Sequence, residues 1–172
     1  MNNEKYNVAV VGATGLIGRK FLETLEKRAF PVKNLRVFAS EKSVNKKLRA
    51  FEKEYAVESL ESLDASGIDF AFFSAGKEAA LKYAPMFAKS GATVIDNSSA
   101  FRNSPDVPLA IPEINGHIIK ETDRIIANPN CSTIIALLPI KNIIKKYGLK
   151  RIIYSTYQAV SGSGMKGVKD LL

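Results

Sequence analysis

The sequence has few of the features that hold secreted or membrane proteins together. It contains one cysteine in 172 residues, which excludes a framework of intrachain disulfides and indicates a reducing compartment. No apolar run reaches the roughly 18 residues that a membrane-spanning helix needs. The chain also opens without the charged and apolar regions of a secretory signal peptide. We therefore expect a cytoplasmic location.

Long runs of one charge are also missing. Lys and Arg number 25 against 17 Asp and Glu, a net charge of +8, but the sequence has no run of five like charges and no basic stripe interleaved with aromatic residues. The excess is either a lysine-rich solvated surface or an attraction for anions. We expect a phosphate-bearing small ligand rather than nucleic acid. The length suits one domain, or one domain and part of a second.

A glycine-rich turn follows the first apolar segment. Residues 6–11 are short and β-branched, as in a buried parallel strand, and residues 19–28 have apolar positions at helical spacing. Between them, Gly12 permits a tight turn, Gly15 lets backbone approach a pyrophosphate, and Gly18 lets the helix pack closely. The spacing is G-x-x-G-x-x-G rather than the usual G-x-G-x-x-G. Its position between strand and helix nevertheless predicts dinucleotide binding, with the helix N-terminus facing the phosphates.

The second strand, predicted at residues 35–39, bears on the choice of cofactor. In an NAD-binding protein an acidic residue ends this strand and holds the ribose hydroxyls. Here Ser40, Lys42 and Ser43 follow, and small hydroxyls with a lysine suit a 2′-phosphate. Glu41 is ambiguous, because it could bind a ribose hydroxyl if it turned inward, and Lys42 could simply be solvated. We predict NADP rather than NAD.

Strands and helices continue to alternate. Further strands are predicted at residues 48–51, 55–57, 69–73, 93–96 and 124–127, and a helix at residues 78–89. This order predicts an α/β fold with a Rossmann-like, doubly wound parallel sheet. Ligands bind outside the carboxyl ends of such strands. Gly12, Ser40, Ser74 and Asn97 fall at those ends and are candidate cofactor-binding residues.

The only cysteine stands in an Asn-Pro-Asn-Cys-Ser-Thr stretch, residues 128–133. The stretch separates a short predicted strand from an apolar helix predicted at residues 134–147. A helix N-terminus favours the thiolate form, which is the nucleophile of covalent catalysis. The alternative is a buried structural cysteine. The polar neighbours favour the nucleophile, so Cys131 is the candidate catalytic residue.

Two other polar side chains are weaker candidates. Arg102 follows the predicted strand at residues 93–96, where its planar fork could hold a phosphate or carboxylate, although it could equally be a surface arginine. His117 is the only histidine and would be an attractive partner for Cys131. It opens a segment without a catalytic pattern, so we interpret it as an ordinary surface or capping residue.

The last part of the chain predicts one more strand and a loop. Residues 150–157 alternate in polarity, as in a strand with one buried face. In the Gly/Ser-rich loop that follows, Gln158 can donate and accept hydrogen bonds, and Ser161 and Gly162 could border a cofactor. The alternative is a flexible turn into a last helix at residues 166–172.

Four motifs together resemble one family. They are Gly-Ala-Thr-Gly at residues 12–15, Asp-Asn-Ser-Ser-Ala-Phe-Arg at 96–102, Asn-Pro-Asn-Cys at 128–131 and Gln-Ala-Val-Ser-Gly at 158–162. Their order and sequences resemble aspartate-semialdehyde dehydrogenase, and the resemblance covers the whole chain.

The resemblance implies an oxidoreductase of amino-acid biosynthesis, serving lysine, methionine, threonine and diaminopimelate. It implies NADPH-dependent reduction of aspartyl β-phosphate to aspartate β-semialdehyde, with Cys131 as the thioester nucleophile. Arg102 would hold the phosphate, and Asn130 and Gln158 the substrate. The residues implied to line the cofactor are Thr14, Gly15, Leu16, Ile17, Lys42, Ser43, Ser161 and Gly162; no metal is implied. The family commonly has Arg at position 42, so Lys42 weakens bidentate phosphate recognition.

The resemblance also sets expectations for domains and assembly. Residues 1–129 would form the NADP-binding domain, and residues 130–172 would begin an α+β catalytic and dimerisation domain that is incomplete here. The acid/base histidine of the family lies in a later segment, which His117 does not match. We expect little or no turnover from this chain alone. We also expect a homodimer or homotetramer for the full-length family and self-association through the apolar end, which includes Leu171 and Leu172.

Two alternatives remain open. The first is a related acyl-phosphate reductase, such as N-acetyl-glutamyl-phosphate reductase or glyceraldehyde-3-phosphate dehydrogenase. These usually surround their cysteine with Pro-Gly-Cys or Ser-Cys-Thr-Thr, so Asn130 before Cys131 favours aspartate-semialdehyde dehydrogenase. The second is a non-catalytic NADP-binding module, which a cofactor titration combined with a turnover assay would distinguish.

Overall fold

A computed structural model describes residues 4–172, apart from the side chains of Ser161, Ser163, Met165, Lys166 and Leu171. The strands are β1 (Tyr6–Val11), β2 (Val32–Ala39), β3 (Lys47–Ala50), β4 (Lys53–Ser59), β5 (Phe70–Phe73), β6 (Thr93–Asp96) and β7 (Ile125–Ala127). The helices are α1 (Leu16–Lys27), α2 (Lys77–Lys89), α3 (Pro112–Asn115), α4 (Cys131–Tyr147) and α5 (Gly164–Leu171). Short 3₁₀ turns occupy Glu41–Ser43, Gly116–Ile118 and Val160–Ser163.

The strands form one sheet in the order β3-β4-β2-β1-β5-β6-β7. Neighbouring strands are parallel except β3 and β4, which form an antiparallel pair at one edge. The predicted α/β, doubly wound class is confirmed. From β1 the chain first builds outward through β2 and β4, and then returns to the other side of β1 with β5. Such a reversal creates a crevice at the carboxyl ends of β1 and β5.

The central strand β1 is buried on both faces, which explains its continuous apolar sequence. Val8 and Val10 point into a core cluster with α1, while Ala9 and Val11 point into a second cluster with α2. Successive side chains of a strand face opposite sides, so one six-residue strand contributes to both cores. This double burial fixes the position of the turn that follows β1.

Gly18 determines how closely α1 approaches that turn. A Cβ atom at position 18 would lie 2.1 Å from the carbonyl oxygen of Gly12 and 2.6 Å from the Cα atom of Ala13. Both contacts are with backbone, which cannot move aside as a flexible side chain would. The predicted role of Gly18 in close helix packing is therefore confirmed.

We predict that Gly18→Ala lowers the free energy of unfolding by about 3 kcal/mol, because the added methyl group overpacks a backbone contact. Urea unfolding followed by circular dichroism measures the change. Gly116→Ala is the matched control, since the nearest atom to a Cβ there is Pro112 Cβ at 3.8 Å. A loss no larger for Gly18→Ala than for Gly116→Ala would contradict the packing argument.

The prediction of a strand at residues 150–157 is wrong, because residues 151–159 form neither a helix nor a strand. Ile153 is 76% exposed and Tyr157 is fully exposed, so the expected buried face is not formed. A strand needs a neighbour to accept its hydrogen bonds, and within residues 4–172 this segment pairs with none. Alternating polarity indicates which face a strand would bury, but it does not supply the partner strand.

Four helices begin at different residues from those predicted, and for α2 the difference is one residue, Lys77 rather than 78. Helix α1 begins at Leu16 rather than residue 19, and α4 at Cys131 rather than residue 134. Helix α5 runs from Gly164 to Leu171 rather than from 166 to 172. The earlier starts of α1 and α4 arise because each helix includes a polar or glycine-rich first turn, and the periodic apolar residues begin only after that turn.

Candidate active site

The sheet continues by one residue past four of its strands. The residues after β1, β5, β6 and β7 each donate a backbone N–H to the last or next-to-last carbonyl of a neighbouring strand. These four hydrogen bonds, of 2.8–3.0 Å, run from Gly12 to Phe38, from Ser74 to Val11, from Asn97 to Phe73 and from Asn128 to Asp96. We call Gly12, Ser74, Asn97 and Asn128 the strand-end row. It fixes the backbone from which the glycine turn and the cysteine stretch both start.

A cavity of about 600 Å³ opens beside this row, at the carboxyl ends of β1, β2, β4 and β5. Six of the predicted cofactor residues line it: Gly12, Thr14, Gly15, Ser40, Lys42 and Ser74. The other lining residues are Ala39, Glu41, Leu60, Glu61, Ala75, Ala79 and Tyr83. The cavity therefore lies at the crevice where a doubly wound sheet binds its ligand.

The glycine turn has the backbone geometry that a pyrophosphate needs. Gly12 has a φ of +82°, and a Cβ there would lie 2.8 Å from the backbone of Ser74. Gly15 caps α1 without a side-chain hydrogen bond, so the first-turn N–H groups of Leu16 and Ile17 have no partner within residues 4–172. Free N–H groups at a helix start bind phosphate. The residues present thus fit a dinucleotide, with Leu16 and Ile17 contributing backbone while their side chains are exposed.

The predicted residues that do not line the cavity are placed around it. Ser43 is buried, and Thr14 Oγ1 lies 3.4 Å from Ser43 Oγ. This serine therefore packs against the glycine turn through Thr14. Asn97 belongs to the strand-end row, where its side-chain oxygen accepts a hydrogen bond of 2.6 Å from Asn128 Nδ2. The side chain of Ser161 lies outside the described part of the chain.

Arg102 clamps the ends of β6 and β7 together. Its Nε donates to the carbonyl of Asn128 at 3.0 Å, and its Nη2 donates to the carbonyl of Asn97 at 3.0 Å. A guanidinium carries five N–H donors, so three remain for a bound anion. The half-buried Arg102 is therefore held in place before any ligand arrives, and its fork still has donors to offer.

Asp96, at the end of β6, lies fully buried near Arg102. Its carboxylate accepts hydrogen bonds from the backbone N–H of Ser98 at 3.0 Å and from Ser98 Oγ at 2.8 Å. Burial raises the pKa of the Asp96 carboxyl above its ordinary value; the Ser98 hydrogen bonds and the charge of Arg102 oppose that rise. Asp96 thus shapes the 97–102 turn at some electrostatic cost.

We predict that the stability of the wild type relative to Asp96→Asn declines as pH rises from about 4 towards 7. With its pKa raised in the folded state, Asp96 holds a proton that the unfolded chain has already lost, so folding weakens as pH rises through that window. Asparagine keeps an acceptor for the Ser98 N–H but does not ionise. Urea unfolding of both proteins at several pH values tests this, with the exposed Asp106→Asn as control. A difference that is flat or increases with pH would refute it.

Cys131 is the first residue of α4, and its thiol is exposed. The side chain of Asn130 caps the helix by accepting from the N–H of Ser132 at 2.9 Å. Gln158 Nε2 donates to Cys131 Sγ at 3.6 Å, and Ser132 Oγ lies 3.4 Å from Gln158 Oε1. The structure therefore brings Asn130, Cys131 and Gln158 together, although Gln158 is 27 residues away in the sequence.

Two further observations complete the surroundings of the cysteine. A Cβ at Gly162 would lie 2.3 Å from Gln158 Nε2, so the glycine leaves room for the amide that contacts Cys131. The backbone N–H groups of Cys131 and Thr133 have no hydrogen-bond partner within residues 4–172. His117 lies exposed in the 3₁₀ turn Gly116–Ile118, and in the same residues no hydrogen bond joins it to Cys131.

Part of the cavity wall is formed by residues that the sequence pattern does not indicate. Leu60 and Glu61 follow β4, in a polar stretch whose pattern does not show which strands are neighbours, and the pattern of the α2 residues Ala79 and Tyr83 indicates only a helix. A parallel pairing of β4 with β2 would have placed Leu60 and Glu61 at the same sheet edge as Ser40. Asn128 was missed because its role depends on a side-chain pair formed across two strands.

Residues 4–172 contain neither a metal-binding cluster nor a membrane-spanning helix. No group of three or more His, Cys, Asp or Glu side chains within residues 4–172 is arranged to hold a metal ion. In the same part of the chain, every helix is too short or too polar to cross a membrane.

The switch-point cavity, the glycine turn and the mostly parallel sheet define a Rossmann-type dinucleotide-binding fold. Residues 7–122 match the family described as semialdehyde dehydrogenase, NAD binding domain, and the chain belongs to this family.

Named relatives agree with the resemblance predicted from the motifs. Aspartate-semialdehyde dehydrogenase of Aquifex aeolicus is 53% identical over 169 residues, and aspartate-semialdehyde dehydrogenase 2 of Vibrio cholerae is 46% identical over 171. These matches cover 96% and 98% of this chain but 50% and 51% of the relatives. The crystal structure of aspartate semialdehyde dehydrogenase II from Vibrio cholerae, complexed with ASA, superposes with a TM-score of 0.94 at 45% identity, over 98% of this chain and 51% of that one. The chain thus spans about half the length of the curated relatives it matches.

Proposed function

We propose that this chain carries the cofactor site and the nucleophile of an NADP-dependent aspartate-semialdehyde dehydrogenase of amino-acid biosynthesis. The reaction would interconvert aspartyl β-phosphate with L-aspartate β-semialdehyde and phosphate. The relatives that bear this name support the substrate class. The observation that carries the proposal is the exposed Cys131 at a helix start capped by Asn130, with Gln158 against its sulfur.

The chemistry proposed for Cys131 is acyl transfer. Its thiolate attacks the carbonyl carbon of the acyl phosphate, a C–S bond forms, and the C–O bond to phosphate breaks with release of inorganic phosphate. The negative charge that develops on the carbonyl oxygen needs donors fixed in advance. The unpartnered N–H groups of Cys131 and Thr133 are the donors that the first turn of α4 offers.

The proposed roles of Arg102, Gln158 and Asn130 follow from the hydrogen-bonding groups that each side chain uses within the chain and those that it leaves available. Arg102 is fixed by two backbone carbonyls and retains three donors, which suits a phosphate group at the carboxyl edge of the sheet. Gln158 orients the thiol and can also contact the substrate. Asn130 keeps the first turn of α4 intact and is the proposed substrate neighbour on the other side of Cys131.

The cofactor site proposed for NADP is the cavity beside the glycine turn. The N–H groups of Leu16 and Ile17 would hold the pyrophosphate, and Ser40 and Lys42 would hold the 2′-phosphate. When bound, the nicotinamide would supply the hydride for reduction of the thioester to the aldehyde, and the C–S bond would break with the Cys131 thiolate as leaving group. Ser161 and Gly162 remain proposed neighbours of the cofactor through the resemblance alone.

The wider proposals concern domains, assembly and location. Residues 1–129 are the proposed NADP-binding domain and residues 130–172 the start of the catalytic and dimerisation domain. Helix α4 has no buried residue and exposes Ile135 and Ile143, which supports association, either self-association of this chain or a homo-oligomer of the full-length enzyme. Low turnover by the chain alone is proposed because, within residues 4–172, the hydrogen-bond partners of Cys131 Sγ are the amides of Asn130 and Gln158 and no acid/base. A cytoplasmic location agrees with the free, exposed thiol.

We predict that the chain binds NADP more tightly than NAD, and that Lys42→Ala weakens NADP binding about fivefold while changing NAD binding less than twofold. The reason is that only NADP has a phosphate for the Lys42 ammonium to pair with. Calorimetric titration with both nucleotides measures this. Lys120→Ala, exposed and just before β7 at the opposite edge of the sheet, is the control. Equal affinities, or tighter NAD binding by the wild type, would exclude the NADP proposal.

We also predict that Cys131 in the folded chain reacts with iodoacetamide about fivefold faster than in urea at the same neutral pH, since the fold holds the exposed sulfur at a helix start beside the Gln158 amide. Asn130→Ala should remove much of this advantage by fraying the first turn of α4. The exposed Asn103→Ala serves as control, and the single cysteine makes the mass readout unambiguous.

A structural thiol would behave in the opposite way, with slow alkylation that speeds up only on unfolding. That outcome would remove Cys131 as the nucleophile. Phosphate-dependent oxidation of aspartate semialdehyde should be near the detection limit for the 172 residues, and robust turnover would overturn the proposal that the chain needs the rest of the enzyme.

A further inference from the structure

We propose that Glu41, held in place by Ser59, opposes Lys42 and thereby sets how strongly the cavity distinguishes NADP from NAD. The inference rests on the proposed cofactor site and assigns a specificity-determining residue to it. From the sequence the role of Glu41 is ambiguous, and Ser59 is not among the predicted site residues.

The register of the sheet brings the two residues together. Strands β2 and β4 are parallel neighbours, and Ala39 pairs with Ser59 at their carboxyl ends. Glu41 lies two residues beyond Ala39, in the first position of the Glu41–Ser43 turn. Ser59 Oγ donates a hydrogen bond to Glu41 Oε1 and accepts one from the backbone N–H of Glu61 at 3.0 Å. One hydroxyl therefore fastens the Glu41 carboxylate to the loop that carries Glu61.

The charges on the cavity wall limit how strongly a 2′-phosphate is preferred over a ribose diol. The charged residues that line the cavity within the described chain are Glu41, Glu61 and Lys42, which sum to one negative charge. A 2′-phosphate carries more than one negative charge and would be repelled by Glu41. The ribose hydroxyls of NAD can instead donate to the same carboxylate, which lies near the end of the second strand, where NAD-binding folds place their acid.

Lys42 and Glu41 thus act in opposite directions from adjacent positions. Lys42 attracts the 2′-phosphate of NADP, while the anchored Glu41 cancels part of that attraction and provides an acceptor for NAD. Ser59 acts only through Glu41 and is therefore a positioning residue. The consequence is that the cavity binds NADP only slightly more tightly than NAD, because the Glu41 carboxylate lowers its affinity for the 2′-phosphate.

The test is calorimetric titration of the 172-residue chain with NADP and with NAD, which needs no turnover. Glu41→Gln should raise the ratio of Kd for NAD to Kd for NADP about tenfold, because one negative charge is removed from beside the 2′-phosphate. Ser59→Ala should raise the ratio about threefold, since the carboxylate remains but is no longer held. Ser59→Thr keeps the hydroxyl and should match the wild type.

Glu121→Gln is the matched control, because this exposed glutamate lies before β7, at the opposite edge of the sheet, and its ratio should not change. A ratio that is unchanged in Glu41→Gln, from a wild type that binds a nucleotide, would overturn this inference and leave the proposed function standing. If Glu41→Gln does not fold, the Ser59→Ala and Ser59→Thr pair decides: equal ratios for the two would overturn the inference. A wild type that binds neither nucleotide would overturn the proposed function itself, and this inference with it.

Discussion

The row of backbone hydrogen bonds just beyond the strand ends is the constraint on which the site depends. Each bond extends a parallel ladder by one residue and fixes where a turn leaves the sheet. The glycine turn starts at Gly12, and the cysteine stretch starts at Asn128. A register shift of one residue would move β1 side chains from one core to the other, so the two cores lock the row in place. The position of the site is thus decided by apolar packing some distance away from it.

Polar residues at this edge hold the backbone in place, and some keep donors free for the proposed ligand. Arg102 donates two hydrogen bonds to the carbonyls of Asn97 and Asn128, and its other N–H donors remain available. Asn130 spends its side-chain oxygen on the first turn of α4. Even the buried carboxylate of Asp96 is used to order the turn that leads to Arg102. A side chain already fixed by the backbone loses little conformational entropy when a ligand binds, which is an advantage for a binding group.

The sequence predicted those parts of the fold that depend on local pattern and burial. Strands β1 and β6 have the predicted bounds, because a short apolar run between turn residues can only be a buried strand here. The segment at 150–157 has an equally clear pattern but no partner strand, and a pattern cannot show whether a partner exists. In the site, the glycine turn, Ser40 and Ser74 were predictable from strand ends. Glu61 and Asn128 were not, since their roles arise from which strands lie side by side.

The order of the strands also gives the site a length scale. From Gly12 after β1 to Asn128 after β7 the row crosses β5 and β6, which is three strand spacings, or about 14 Å. A single ligand that reaches from the glycine turn to the cysteine stretch must therefore lie across the strands, over Ser74 and Asn97, and must be elongated. The number of strands between the two turns therefore sets the length that such a ligand needs. Substitutions within a turn can change what that turn binds without changing the distance from Gly12 to Asn128, because this distance changes only if a whole strand is added or removed.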